Sequence, residues 1–171
     1  MTVRLLLLWS VLGLLIPQIT NYQGKYERLP IKVAAQPVLF DHLKHSSLGL
    51  ACEQCHPGAR EKEQAGFPPV AQCMLCHETL KKNEPEIQKL VGFQQDGKEP
   101  SWVRVYQLPN FVHFRHSRHL EARIECGVCH GPVAERVILT KEVSTSMRVC
   151  VACHVEKEAS IDCDACHDLE Q

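Results

Sequence analysis

The chain has 171 residues, a formal net charge of −1 and a sequence pI near 6.8. That balance supplies neither a basic face for nucleic acid nor an acidic tail. Aromatic residues make up only 6% of the chain and no long helical or strand period dominates it, so side chains alone would build a poor apolar interior.

From the start of the chain, Arg4 is followed by an uncharged apolar run of 12 residues, Leu5 to Ile16, that stops at Pro17. This is an export signal. Its length suits a secretory leader, and stretching it from Val3 to Ile19 would make an apolar membrane-anchoring helix. No A-x-A-like cleavage site follows, and there is no cysteine for lipidation. Leader and anchor both stand. In either case Arg4 stays on the cytoplasmic side and the remainder is translocated. Residues 1–20 are expected to form the signal peptide or anchor, and 21–35 a linker.

The chemistry lies in the cysteines. All ten fall into five CxxC pairs, each followed at once by histidine: Cys52/Cys55/His56, Cys73/Cys76/His77, Cys126/Cys129/His130, Cys150/Cys153/His154 and Cys163/Cys166/His167. In such a motif the two thiols add across the vinyl groups of haem, and the adjacent histidine becomes the proximal ligand of the iron. Five covalent haem c groups are therefore expected. Structural zinc would use two pairs per ion, which leaves one of five pairs unmatched, and it does not require the trailing histidine. A disulfide framework would scatter its cysteines rather than pair all of them. The expected fold is mostly irregular with short α-helices, organised around the haems and dependent on them.

The chain also repeats itself. Gln36 to His56 aligns with Asn110 to His130 at a constant offset of 74, so that Phe40 matches Phe114, His42 matches His116 and His45 matches His119. Each copy continues to a second motif, after 16 residues (57 to 72) in the first and 19 (131 to 149) in the second, and the second copy gains a fifth motif. The expected organisation is a first di-haem repeat over 36–77, a connector over 78–109 and a three-haem repeat over 110–171. Within the connector, Asn83 as a cap, Pro85 in the first turn and Ile87, Leu90 and Val91 at helical spacing predict one short helix ended by Asp96-Gly97. Ser101 to Leu108 alternates as a short strand would. Asp41 to Ser47 and the residues flanking each motif are expected to be short helices.

Five proximal histidines leave five others: His42, His45, His113, His116 and His119. Supply equals demand, and if every iron takes two histidines none keeps an open position, which suits electron transfer rather than substrate binding. His113 stands apart because its counterpart in the first copy is Leu39. Met147 and Met74 compete with it, and a thioether would raise the potential of that haem.

F-x-H-x-x-H followed by CxxCH resembles the class III multihaem cytochromes of the bacterial periplasm. The blocks QPVLFDHLKH, SWVRVYQLPNFVHFRHSRH, CGVCHGPV and STSMRVCVACH are more closely similar to the pentahaem subunit of alternative complex III, a quinol:electron-acceptor oxidoreductase. That resemblance implies an exported domain with closely spaced haems on the outer face of the inner membrane, often on an N-terminal anchor. It would pass electrons from a quinol-oxidising complex to another periplasmic redox protein. This chain departs from the family in having Tyr106 where histidine is usual and His113 where tyrosine is usual. The rival readings are a soluble periplasmic shuttle, a multihaem reductase with an open iron, and a subunit in which haem serves as scaffold.

Overall fold

The computed structural model describes residues 33–168, so the expected leader or anchor and nearly all of the linker lie outside the described residues. Among the described residues no helix is long and apolar enough to cross a membrane.

The described residues form eight short α-helices joined by irregular chain: α1 His42–Ser46, α2 Cys52–Cys55, α3 Gly58–Glu61, α4 Val70–His77, α5 Pro85–Gln95, α6 His116–Glu121, α7 Cys126–His130 and α8 Met147–Glu156. Two 3₁₀ turns follow the third motif and open the fifth, at Val133–Glu135 and Cys163–Ala165. Helices of this length are not stable by propensity, so each must be held by caps and by packing. Asp41 caps α1 by accepting the Lys44 N–H at 3.1 Å. At α2 the Gln54 side chain reaches back to the Ala51 N–H at 2.7 Å.

The connector helix forms where its spacing predicted, with one change at its start. The N-cap is Glu84, not Asn83, and its side chain makes no capping bond. Pro85 at the first helical position makes a side-chain cap less necessary, because it removes one N–H that would need a partner. At the other end Gly97 turns left-handed at φ 64°, while the Lys98 N–H bonds Phe93 O at 2.9 Å, a Schellman closure.

No strand forms over Ser101 to Leu108, contrary to its alternation. A strand needs a partner strand, and the first repeat offers a side chain instead: the Gln36 amide donates to Val103 O at 2.8 Å and accepts the Val103 N–H at 3.0 Å. Among the described residues the nearest thing to sheet is one antiparallel bridge, Val112 with His167.

Few apolar side chains are buried. Among the described residues they are Val38, Val70, Met74, Leu90 and Val149, and no side chain is fully enclosed. Four of these make one cluster under α4 and α5, with Ile87, Val91, Phe93 and Trp102 against it. Met74 is therefore occupied as a core residue, 4% exposed.

The two repeats grip each other reciprocally. From the first, Leu43 N and Ser46 Oγ donate to Arg136 O and Ala134 O, at 3.1 and 2.7 Å, in the loop that follows the third motif. From the second, α6 packs on α3, and the His116 ring meets Glu63 O at 2.7 Å in the loop that follows the first motif. That first loop allows little room at Gly58, where an added Cβ would lie 2.5 Å from Gln64 O and 2.8 Å from Ala65 O. Both neighbours are backbone, so the loop would have to move. Gly58→Ala is expected to destabilise the holoprotein by about 1–3 kcal/mol, seen as a lower thermal midpoint with an unchanged visible spectrum.

Candidate haem-attachment site

Helical spacing explains the motif locally. Residues three apart share a helix face, so in α4, α7 and α8 the two thiols of each CxxC pair project together and the next residue brings its imidazole alongside. All ten cysteines are free, and none is fully buried. Burial pushes the thiols of Cys55, Cys73, Cys126, Cys129 and Cys150 up. Among the described residues, no three or more His, Cys, Asp or Glu side chains converge as a metal cluster.

The five pairs are identical as motifs, but the structure sets the second apart. In the other four, the first cysteine (Cys52, Cys126, Cys150, Cys163) is exposed and the second (Cys55, Cys129, Cys153, Cys166) is partly covered. In the second motif this order is reversed: Cys73 is partly covered and Cys76 is exposed. The cause is the core cluster, against which Cys73 packs while its thiol points to Pro69 O at 3.8 Å. Cys76, three residues on, stays outside that cluster near the end of α4, where its carbonyl accepts the Leu80 N–H at 2.9 Å. Cys76 is therefore the exception, exposed where its four counterparts are partly covered.

The histidines are arranged more tightly. His45 faces His77 with ring centroids 6.2 Å apart, His116 faces His130 at 6.3 Å, and His119 faces His154 at 6.1 Å. Each pair joins one motif histidine to one upstream histidine. Two imidazoles bound through nitrogen on opposite sides of a metal, at bond lengths of about 2 Å, hold their centroids roughly 6 Å apart. The residues therefore fit an iron between each pair.

Ring orientation is fixed from behind. In seven of the ten histidines Nδ1 lies within hydrogen-bond distance of a backbone carbonyl: His45 with Asp41 O, His56 with Gly66 O, His77 with Leu80 O, His116 with Glu63 O, His119 with Arg115 O, His154 with Ser160 O and His167 with Phe111 O. A carbonyl only accepts, so Nδ1 carries the proton and Nε2 is left with its lone pair for a metal. His42 and His130 are held neutral by another route. Burial pushes both rings down, with His56 adding to the effect on His42 and His116 adding to that on His130. His42 Nδ1 is also buried without a partner, an orphaned polar atom of the kind that marks a place where a further group packs.

The repeat is visible in these contacts. Phe40 stacks on His45 at 4.2 Å and Phe114 stacks on His119 at 4.5 Å, while each phenylalanine meets the other histidine of its pair, His42 or His116, edge-on at 4.8 Å. The alignment had matched the two phenylalanines without giving them this work of orienting ligands. Phe67, between His56 and Trp102, and the carbonyls behind the rings carry no sequence signal at all.

Two expected participants sit differently. His113 is exposed, and although its N–H bonds Cys166 O at 2.9 Å, its ring is paired with no other histidine among the described residues. Tyr106 lies beside the third motif, its ring 4.6 Å from that of His130. Its hydroxyl donates to His130 O at 3.3 Å and accepts the Glu142 and Val143 N–H groups at 3.1 and 3.3 Å. A bidentate Arg136–Glu142 pair closes the same loop. Tyr106→Phe would leave those N–H groups unpaired and is expected to cost about 1–3 kcal/mol in chemical denaturation of the holoprotein.

Two known families match this chain. Residues 19–99 match the class III cytochrome C family, and residues 112–168 match cytochrome c7 and related cytochrome c. Both matches support a multihaem c-type cytochrome family. No curated protein matches the chain. Class III cytochromes bind c-type haem, and that family suggests electron transfer. The short helices and irregular connections of the described residues are what such a fold requires, because the cofactor takes the place of a side-chain core.

Proposed function

We propose that this cytochrome carries five haem c groups and conducts electrons on the periplasmic side of the bacterial inner membrane, as a subunit of a quinol-oxidising respiratory complex. The three imidazole pairs at 6.1 to 6.3 Å carry the reading. They support bis-histidine ligation, which closes both faces of an iron to substrate. Bound haem c supplies reversible one-electron chemistry at iron.

Each cysteine pair, Cys73 and the exposed Cys76 included, would hold one haem through its two thiols, and His45 with His77, His116 with His130 and His119 with His154 would hold the irons. His42 serves His56, the partner the repeat requires and the neighbour that perturbs it. For His167, His113 is the remaining histidine, its backbone tied to Cys166. Met147, 65% exposed at the start of α8, is the thioether that competes with it. Association with the membrane complex rests on the apolar N-terminus and on the resemblance of the linked sequence blocks.

Quinol added to the native membrane complex tests the role, with the haem spectrum of this subunit followed over time. Its reduction within turnover is expected. Haems that stay oxidised while quinol is consumed would contradict it, and a soluble, mature chain lacking the leader would favour a shuttle. The exposed ring of His113 favours one second reading, an open iron at the fifth motif that binds small ligands as a reductase does. Carbon monoxide bound by the reduced native protein would support that reading.

A further inference from the structure

Four of the five motif histidines are oriented through Nδ1, which meets Gly66 O in His56, Leu80 O in His77, Ser160 O in His154 and Phe111 O in His167. His130 is held differently. Tyr106 stands edge-on to its ring, with centroids 4.6 Å apart and planes crossing at 75°. The Tyr106 hydroxyl also donates to His130 O at 3.3 Å. One side chain thus meets His130 twice, at the imidazole and at the carbonyl.

Tyr106 is itself tied down. Its hydroxyl accepts the Glu142 and Val143 N–H groups at 3.1 and 3.3 Å, and Lys141 Nζ lies over its ring, 5.6 Å from the centroid. Arg136 grips both carboxylate oxygens of Glu142, which closes the loop that presents those N–H groups.

The angle between facing rings differs from pair to pair. His116 and His130 are nearly parallel at 7°, whereas His45 and His77 cross at 63° and His119 and His154 at 47°. His116 is fixed independently, by Glu63 O at 2.7 Å behind Nδ1 and by Phe114 edge-on at 4.8 Å. With one ring of the pair anchored from the opposite repeat, the parallel setting depends on what holds the other.

We propose that Tyr106 is a positioning residue for the third site: its ring sets the rotation of the His130 imidazole and so keeps the His116–His130 pair parallel. This rests on the reading above that the pair ligates one iron. Groups that orient a metal-bound histidine tune the metal. An imidazole donates π density along the normal to its ring, so parallel rings raise one iron d orbital above its partner, while crossed rings act on both alike. Parallel ligands therefore give a rhombic low-spin ferric EPR signal, and crossed ligands a broad low-field one.

Low-temperature EPR of the oxidised full-length holoprotein is the test, with intact mass taken on each sample. His116→Ala identifies the third site as the rhombic component that disappears and returns as high-spin iron. Tyr106→Leu removes the aromatic edge, so that component should give way to a broad low-field signal of equal integrated intensity. Tyr106→Phe keeps the edge and loses the hydroxyl, so the rhombic component should persist although the protein is less stable. A residue that only braces the loop at 142 and 143 would lower stability in both variants and leave the third signal unmoved, which would overturn the proposal. A wild-type third site with the broad signal, or a Tyr106→Phe protein without the rhombic one, would overturn it too. Those two outcomes need no Tyr106→Leu protein, should that variant fail to hold its haems. If His116→Ala removes no low-spin component from a protein that keeps its haems, the ligand pairing itself fails, and the role of Tyr106 with it.

Discussion

Produced in cells that cannot attach haem, the chain is expected to show no cooperative unfolding transition. Its apolar interior is five side chains among the described residues, whereas fifteen large apolar residues there stay exposed. So small an apolar interior and helices this short do not hold a chain of this length in one structure by themselves. Haem must supply the missing surface, as metal does in small domains that are unfolded without it. Near-UV circular dichroism against urea checks this: a flat trace is expected for the haem-free chain and a sigmoidal one for the holoprotein.

The second large effect is expected from His116→Ala. His116 stands 6.3 Å from His130 with the two ring planes only 7° apart, and Glu63 O fixes its Nδ1 from the opposite repeat. If His116 and His130 hold one iron between them, as proposed, removing the ring would leave that iron with one histidine, so the oxidised protein should gain a high-spin signal worth one haem. The reduced protein should bind one more equivalent of carbon monoxide than the wild type. Loss of the Glu63 bond also loosens the contact between repeats, so a lower thermal midpoint is expected as well. An unchanged oxidised spectrum in a protein that still holds all its haems would show that His116 ligates no iron.

Much of the fold and site was legible in the sequence. The five motifs and the offset of 74 depend only on neighbouring residues and on self-similarity, which a sequence displays directly. The connector helix was legible for the same reason, since Pro85 and Gly97 mark its ends locally. Long-range contacts were not. Ser101 to Leu108 has the period of a strand, yet the partner for Val103 is a glutamine amide 67 residues away, which no local pattern announces. Which upstream histidine faces which motif was hidden likewise, because it depends on how α1 and α6 lie across the molecule. The reversed exposure of Cys73 and Cys76 was hidden too, because the cluster that covers Cys73 draws on Leu90 from the connector helix and Val38 from the start of the repeat. Tyr106 read as the place of a missing ligand, whereas its hydroxyl ties down residues 142 and 143 beside the third motif.

Counting haems tests the central claim most directly. The intact mass of the native holoprotein, taken with its iron content, is expected to show five covalent haem increments and five irons on the chain. Fewer increments, or zinc in place of iron, would contradict the reading that all five cysteine pairs and their histidines exist to hold haem.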